Sequence, residues 1–180
     1  MSDEVRPHPD AEDPSDQYDR VFKALVSGDV EEWERLSDEI PSFPDGKDGW
    51  LERHWITSAV DVGSGASVEW MVSRKVPLCF RDDEGYTVLH SCIEREKEDR
   101  HDLLELLIEG GADVNLKGVN DWTPLHMAGA RGDLDAIRVL MENGADPSIR
   151  TAIDNYATPA EEAGSLGQRA AARLIRSLSE

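Results

Sequence analysis

Two histidines, His90 and His126, are the side chains whose setting most suggests chemistry. Each stands three residues after a threonine, in the segments Thr87-Val88-Leu89-His90 and Thr123-Pro124-Leu125-His126. An imidazole can act as a general acid or base, or it can bind a metal ion. Either role needs partner groups at a suitable spacing, so the rest of the chain decides between these roles and a structural one.

The chain lacks the motifs that would supply such partners. The loop Gly63–Ser67 is rich in Gly and Ser but lacks the Gly-Lys-Ser/Thr ending of a phosphate-binding loop. The segment Asp82–Gly85 does not follow the DxDxDG spacing of calcium loops, and no nucleophile elbow occurs. Cys79 and Cys92 have no zinc-site spacing and form no disulfide framework. We therefore predict no catalytic residue, no metal site and no cofactor.

Internal repetition is the dominant pattern of the sequence. Gly111-Ala112-Asp113 recurs as Gly144-Ala145-Asp146, which is a period of 33 residues. The two Thr-to-His segments recur with a period of 36, so three residues are inserted in one unit, within 94–102. Periods of this length are typical of stacked repeats.

The clearest unit, residues 118–150, predicts two helices joined by a short turn. Thr123 is suited to cap a first helix and Pro124 to begin it, whereas Gly132 ends it. Asp133 can cap a second helix, whose apolar residues recur at 3.6-residue spacing up to Gly144. Such a hairpin leaves an apolar face that only a neighbouring hairpin can cover.

The TPLH segment, Ala128, Gly132 and the GAD segment together resemble the ankyrin repeat. The resemblance implies an all-α solenoid of about five helix-turn-helix units with protruding turns. We place the units at about 17–45, 48–81, 82–117, 118–150 and 151–180, after a disordered acidic tail at 1–16. It also implies that His90 and His126 have a structural role, bonding to loop and Thr groups and tying neighbouring units together.

Net charge is the most extreme bulk property. The formal charge is −19, and residues 1–16 contribute −5 of it. Such a charge repels nucleic acid and anionic membranes and would steer a basic protein toward the chain. The alternative is that the charge serves solubility or adaptation to a salty cytoplasm. Because no secretory signal and no apolar run of ~20 residues occur, we expect a cytoplasmic protein.

The family's usual recognition surface comprises the turn tips and the exposed face of each first helix. Trp122, Tyr86 and Arg53 share one repeat position on the turns, where aromatic residues with Arg nearby are typical of binding hot spots. Alternatively, Trp122 and Tyr86 only stack on one another. The predicted partner-binding residues are Trp50, Leu51, Arg53 and Asp61; Asp83, Glu84, Tyr86, Glu94 and Arg95; Val119, Asn120, Trp122, Ala130 and Arg131; and Asp154, Asn155 and Leu166.

These features favour a non-catalytic scaffold that binds a basic partner protein on its concave turn and first-helix face. One alternative is an immunity-type or inhibitor protein that neutralises a basic toxin or enzyme, and another is an accessory subunit of an enzyme. The charged insertion, EREKEDRHD at 94–102, is either a solvated loop or a bump that the partner recognises. Arg169, Arg173 and Arg176 give the last helix a polar face, so we expect a monomer.

Overall fold

The computed structural model describes residues 13–153 and 156–180, and these residues form helices and no strands. The helices occur in consecutive pairs: α1 (Pro14–Ser27) and α2 (Val30–Glu39), α3 (Trp55–Val62) and α4 (Gly65–Ser73), α5 (Val88–Glu94) and α6 (Arg100–Glu109), α7 (Pro124–Arg131) and α8 (Leu134–Glu142), α9 (Pro159–Ser165) and α10 (Arg169–Leu178). A 3-10 turn, Val119–Asp121, precedes α7. No helix in these two ranges has the length and apolar character that crossing a bilayer requires.

The first helix begins earlier than the sequence pattern suggested. Asp13 caps α1 by accepting a hydrogen bond from the Ser15 N–H at 2.8 Å, and Pro14 takes the first helical position. The expectation of a disordered tail up to residue 16 is therefore wrong for residues 14–16, because an Asp-Pro pair is a good helix start. The remainder of the expected tail, residues 1–12, lies outside the described residues.

Capping residues define the boundaries of the helices. The second helices α2, α4 and α8 start after Asp29, Ser64 and Asp133, whose side chains accept backbone N–H bonds from the first turn. The hairpin turns after α1 and α7 contain Gly28 at φ 79° and Gly132 at φ 69°. This left-handed conformation is accessible to glycine without a Cβ clash, so each helix ends sharply.

A common backbone feature after the second helices shows how the units correspond. One residue there is left-handed: it is Gly111 after α6 and Gly144 after α8, at φ 104° and 87°. After α4 it is Lys75, at φ 61°. The next N–H, that of Val76, donates to the Met71 carbonyl at 3.4 Å, and the residue after each glycine makes the same bond. Lys75-Val76-Pro77 thus stands where the later units have Gly-Ala-Asp.

The helix pairs stack side by side in two layers. First helices α1, α3, α5, α7 and α9 contact one another in succession, as do second helices α4, α6, α8 and α10. The core lies between the layers and includes the fully buried side chains of Leu25, Leu36, Ile56, Met71, Leu89, Leu104 and Leu125. Burying such a side chain stabilises the fold by about 1.5–3 kcal/mol, so each pair depends on its neighbours for burial.

Candidate protein-binding surface

The turn before α3 is organised by one buried carboxylate, that of Asp48. Its Oδ1 accepts hydrogen bonds from the backbone N–H groups of Trp50 (3.0 Å) and Leu51, and its Oδ2 accepts one from the Arg53 N–H at 3.1 Å. These bonds hold Trp50 and Leu51 at the tip, where the Trp50 side chain is 54% exposed. The Trp50 ring contacts the Tyr18 ring of α1 edge-on, at 5.3 Å between centroids.

The turn before α5 uses the same arrangement. Asp82 Oδ1 accepts hydrogen bonds from the backbone N–H groups of Glu84 (3.1 Å) and Tyr86 (2.7 Å). This leaves the side chains of Asp83 and Glu84 exposed at the tip. Asp83 also lies 3.6 Å from Lys47 Nζ in the preceding turn. Because the Asp82 carboxylate accepts the hydrogen bonds of the N–H groups that point into the turn, the side chains that point outward remain available for other contacts.

The two histidines hold the turns onto the first helices. His90 Nδ1 lies 2.8 Å from Thr87 Oγ1, and His126 Nδ1 lies 2.9 Å from Thr123 Oγ1 while accepting the Thr123 N–H at 3.2 Å. On its far side, His126 Nε2 donates to the Ala157 carbonyl of the next unit at 3.2 Å. Burial lowers the pKa of His90 to about 4 and also lowers the pKa of His126. Both imidazoles are therefore neutral at pH 7. Both make the predicted bonds to threonine, and the predicted tie to the next unit is seen for His126, whereas among the described residues His90 Nε2 is buried without a hydrogen-bond partner.

A groove of about 470 Å³, which we call the acidic groove, lies between the second and third units. Its lining residues come from two turns and two first helices: Leu51, Arg53, Asp61, Asp82, Asp83, Glu84, Tyr86, Ser91 and Glu94. Five carboxylates and one guanidinium give it a formal charge of −4. Arg53 Nη2 is 2.6 Å from Asp61 Oδ2, so this cation already has a partner within the groove.

A second groove of about 280 Å³, which we call the apolar groove, adjoins the first between the third and fourth units. It is lined by Tyr86, His90, Glu94, Val119, Asn120, Trp122, Met127, Ala130 and Arg131. Tyr86 and Glu94 line both grooves, so the two are continuous. Together they form a surface, the groove face, that spans three consecutive units.

The two aromatic side chains of the groove face pack against histidines. The Tyr86 ring lies 6.0 Å from the His90 ring, edge-on, and the Trp122 ring stacks on His126 at 6.2 Å. Among the described residues, the aromatic contacts do not pair Tyr86 with Trp122, so the alternative that these two rings only stack on one another is wrong. Both side chains are half-buried and form part of the groove wall.

Arg95 is not a surface residue, and its assignment to the binding surface is wrong. Its side chain has no solvent exposure. Nη1 donates to the Val60 carbonyl at 2.5 Å, Nη2 donates to the Gly63 carbonyl at 3.0 Å, and the guanidinium binds both oxygens of Asp99 at 2.8 Å. The cause is local, because α5 ends at Glu94 and Arg95 has the non-helical angles φ −56° and ψ 126°. The side chain therefore leaves the helical register on which the prediction relied.

The inserted loop connects three units. Lys97 Nζ donates to the Val62 and Gly63 carbonyls at 2.9 and 2.7 Å, so two cations meet the carboxyl end of α3. His101 is half-buried, with Nε2 2.9 Å from Asp133 Oδ1 of the fourth unit. Arg100 binds the same carboxylate at 3.0 Å.

The remaining predicted residues differ in their placement. Leu166, at the end of α9, is exposed, and Trp50 is exposed on the turn tip but is not among the residues that line the acidic groove. Asp154 and Asn155 lie outside the described residues.

Sequence reasoning missed four groove residues, Asp82, His90, Ser91 and Met127. Ser91 and Met127 lie three residues before the predicted positions Glu94 and Ala130, so helical periodicity could have found them.

Helix pairs stacked in register, with turns and first helices forming one continuous face, define an α-helical repeat scaffold. Comparison with known families identifies which one. The profile of ankyrin repeats in three copies matches residues 56–151, which is 96 of the 180 residues. The chain belongs to the ankyrin-repeat family, and the predicted all-α repeat solenoid is confirmed. Ankyrin repeats generally mediate interactions between proteins.

The chain resembles segments of much longer relatives. It is 33% identical over 96 residues to "Ankyrin repeat and KH domain-containing protein mask-1" of Caenorhabditis elegans, covering 53% of this chain and 4% of that protein. It is 35% identical over 78 residues to "Protein phosphatase 1 regulatory subunit 12A" of Mus musculus, covering 43% and 7%. A "Putative ankyrin repeat-containing protein" of Treponema pallidum is 32% identical over 95 residues, covering 52% and 31%. The similarity thus concerns the repeats.

Proposed function

We propose that this chain is a non-catalytic interaction module that binds a basic partner protein on its groove face. The observation that supports the proposal most strongly is that side chains from three units line two adjoining grooves. Tyr86 and Glu94 join the grooves at their common wall. A rigid, preorganised surface of this kind binds with a small entropic cost.

Tyr86 and Trp122 are the proposed anchors. An aromatic side chain can bury 150–250 Å². Each ring already rests on a histidine of its own unit, at 6.0 Å for Tyr86 and 6.2 Å for Trp122, so little rotamer freedom remains to be lost on binding. Half-buried aromatic residues near the centre of a surface are typical hot spots, whose removal costs about 2 kcal/mol or more.

Electrostatics supports a basic partner. The acidic groove carries a formal charge of −4 within a chain of −19. A field of one sign accelerates encounter with a partner of the opposite sign and orients it, and salt screens this effect. The charge therefore contributes to the association rate, whereas the aromatic anchors contribute to the lifetime of the complex.

Affinity purification from the source cells, at low and high salt, would identify the partner. The purified partner is then titrated against wild type, Tyr86→Ala and Trp122→Ala. We expect each substitution to raise Kd by about 30-fold, which corresponds to a 2 kcal/mol hot spot. Leu134→Ala, an exposed apolar residue on α8 away from the groove face, is the control and should leave Kd unchanged. Unchanged affinity in both aromatic variants would refute the proposal.

A further inference from the structure

The two grooves of the groove face differ in chemistry, and this difference indicates which side chain of a partner each groove can bind. Resting on the proposed function, we propose that the groove face binds one continuous segment of the partner in a single orientation. A large apolar side chain of that segment occupies the apolar groove. A neighbouring Arg or Lys of the segment enters the acidic groove beside Glu94.

The apolar groove suits one side chain. Its walls include the side chains of Tyr86, Val119, Trp122, Met127 and Ala130, all apolar or aromatic. Pockets for drug-sized ligands measure about 300–1,000 Å³, whereas this groove measures about 280 Å³ and is open on one side. The space is large enough for a single apolar anchor such as leucine or phenylalanine.

Glu94 provides the carboxylate that a cation would meet first. Asp61 is bound to Arg53 at 2.6 Å, and Asp82 accepts the turn's backbone N–H groups. Asp83 lies 3.6 Å from Lys47 Nζ. Among the described residues, the side-chain carboxylates of Glu84 and Glu94 make no hydrogen bond or ion pair and both residues are exposed; Glu84 lies at the turn tip, whereas Glu94 lies on α5. It also lies on the wall that the two grooves share. When the Arg or Lys of the partner segment lies beside Glu94, the next residue of that segment therefore lies next to the apolar groove.

Arg131 sets the direction of the bound segment. Its exposed guanidinium lines the apolar groove, and within the described part of the chain it has no ion-pair or hydrogen-bond partner. A basic residue on this side of the apolar anchor would meet a like charge, whereas the same residue on the Glu94 side would meet an opposite charge. The partner's cation should therefore lie toward the second unit and its apolar residue toward the fourth.

The test selects peptides and then measures one pairwise contact. A phage library of random 12-residue peptides is panned on the full chain, with counter-selection on the Tyr86→Ala/Trp122→Ala double variant. We expect the retained peptides to share one Arg or Lys and one large apolar residue at a fixed spacing and order. The strongest peptide is synthesised, together with its Arg-to-Gln (or Lys-to-Gln) analogue and a peptide of reversed order.

Glu94→Gln in the protein should weaken the selected peptide about 5-fold and its Gln analogue less than 2-fold. Glu105→Gln, which removes an exposed carboxylate from α6, is the matched control and should change Kd less than 2-fold. The reversed peptide should bind at least about 10-fold more weakly than the selected one.

Three results would overturn the inference: equal effects of Glu94→Gln on both peptides, an equal effect of Glu105→Gln, or equal binding of the reversed peptide. A selection that retains no peptide would overturn it as well. If the purified partner still responds to Tyr86→Ala and Trp122→Ala in any of these cases, only the two-groove assignment fails. If neither partner nor peptides respond, the proposed function fails too.

Discussion

Removing the side chain of Arg95 should destabilise the fold more than removing any exposed charge of the insertion. Arg95→Ala deletes the guanidinium that binds the Val60 and Gly63 carbonyls and both oxygens of Asp99. The side chain is fully buried between the third unit and the end of α3. The substitution therefore leaves acceptors without donors and opens a cavity at the junction of two units.

The expected loss is about 3–5 kcal/mol, the range for breaking a buried ion pair by removing one partner. The lower end applies here for two reasons. Asp99 keeps 35% of its side-chain exposure and can be hydrated, and Lys97 Nζ still donates to the Gly63 carbonyl at 2.7 Å. A loss of 3 kcal/mol in a chain of this size lowers Tm by about 6–12 °C.

Urea unfolding followed by circular dichroism measures the change in the free energy of unfolding. Glu96→Ala, which truncates an exposed neighbour in the same loop, is the matched control and should change stability by less than about 0.5 kcal/mol. Arg95→Lys keeps the charge but not the planar fork, so it should recover only part of the loss. Since a weakened junction can uncouple repeats, the transition of Arg95→Ala should also broaden.

If Arg95→Ala and Glu96→Ala are equally stable, the inserted loop does not brace the second and third units as described. Arg95 would then be an exposed residue of the binding surface, as its sequence position first suggested.

Three further predictions concern the turns and the histidines. Burial lowers the pKa of His90 to about 4 and that of His126 below its usual value, so the unfolded chain takes up protons before the folded chain does as pH falls. The stability that the neutral histidines contribute above about pH 6.5 should therefore decline toward pH 4, by up to about 3 kcal/mol from His90. Equal free energies of unfolding at pH 7 and pH 5 would contradict this. Asp48→Ala removes the acceptor of three backbone N–H groups and should cost about 2–3 kcal/mol in urea unfolding, whereas Asp83→Ala at an exposed turn tip should cost almost nothing. Gly144→Ala places a Cβ where no atom lies within 4 Å but at φ 87°, so thermal unfolding should show a loss of about 1–2 kcal/mol from backbone strain alone, and an unchanged Tm would contradict the left-handed assignment.

Sequence reasoning succeeded mainly where a residue's role depends on periodic position, although Ser91 and Met127 were missed at such positions. Thr123, Pro124 and Gly132 begin and end α7 as their types predict, and the resemblance to the ankyrin repeat implied the bond between Thr123 and His126. The groove residues Tyr86 and Trp122 followed from their shared place before the capping threonine. These features repeat along the chain, so each unit supports the interpretation of the others.

The inserted loop could not be predicted in this way. Arg95 lies next to Glu94 in sequence, but the backbone leaves the helix between them and the two side chains serve different surfaces. The bond between His101 and Asp133 joins residues 32 positions apart, and no local sequence pattern predicts it. The turn bonds of Asp48 likewise depend on three-dimensional geometry, although its position before an exposed turn tip resembles that of Asp82.

Hydrogen exchange with the purified partner tests the central claim, that the groove face is the binding surface, most directly. Exchange at residues 82–86 and 118–122, the turns that carry Tyr86 and Trp122, should slow in the complex. Exchange in the outer helices α6 and α8 should not change. Protection confined to the outer helices, with both turns exchanging as in the free chain, would contradict the assignment of the binding surface.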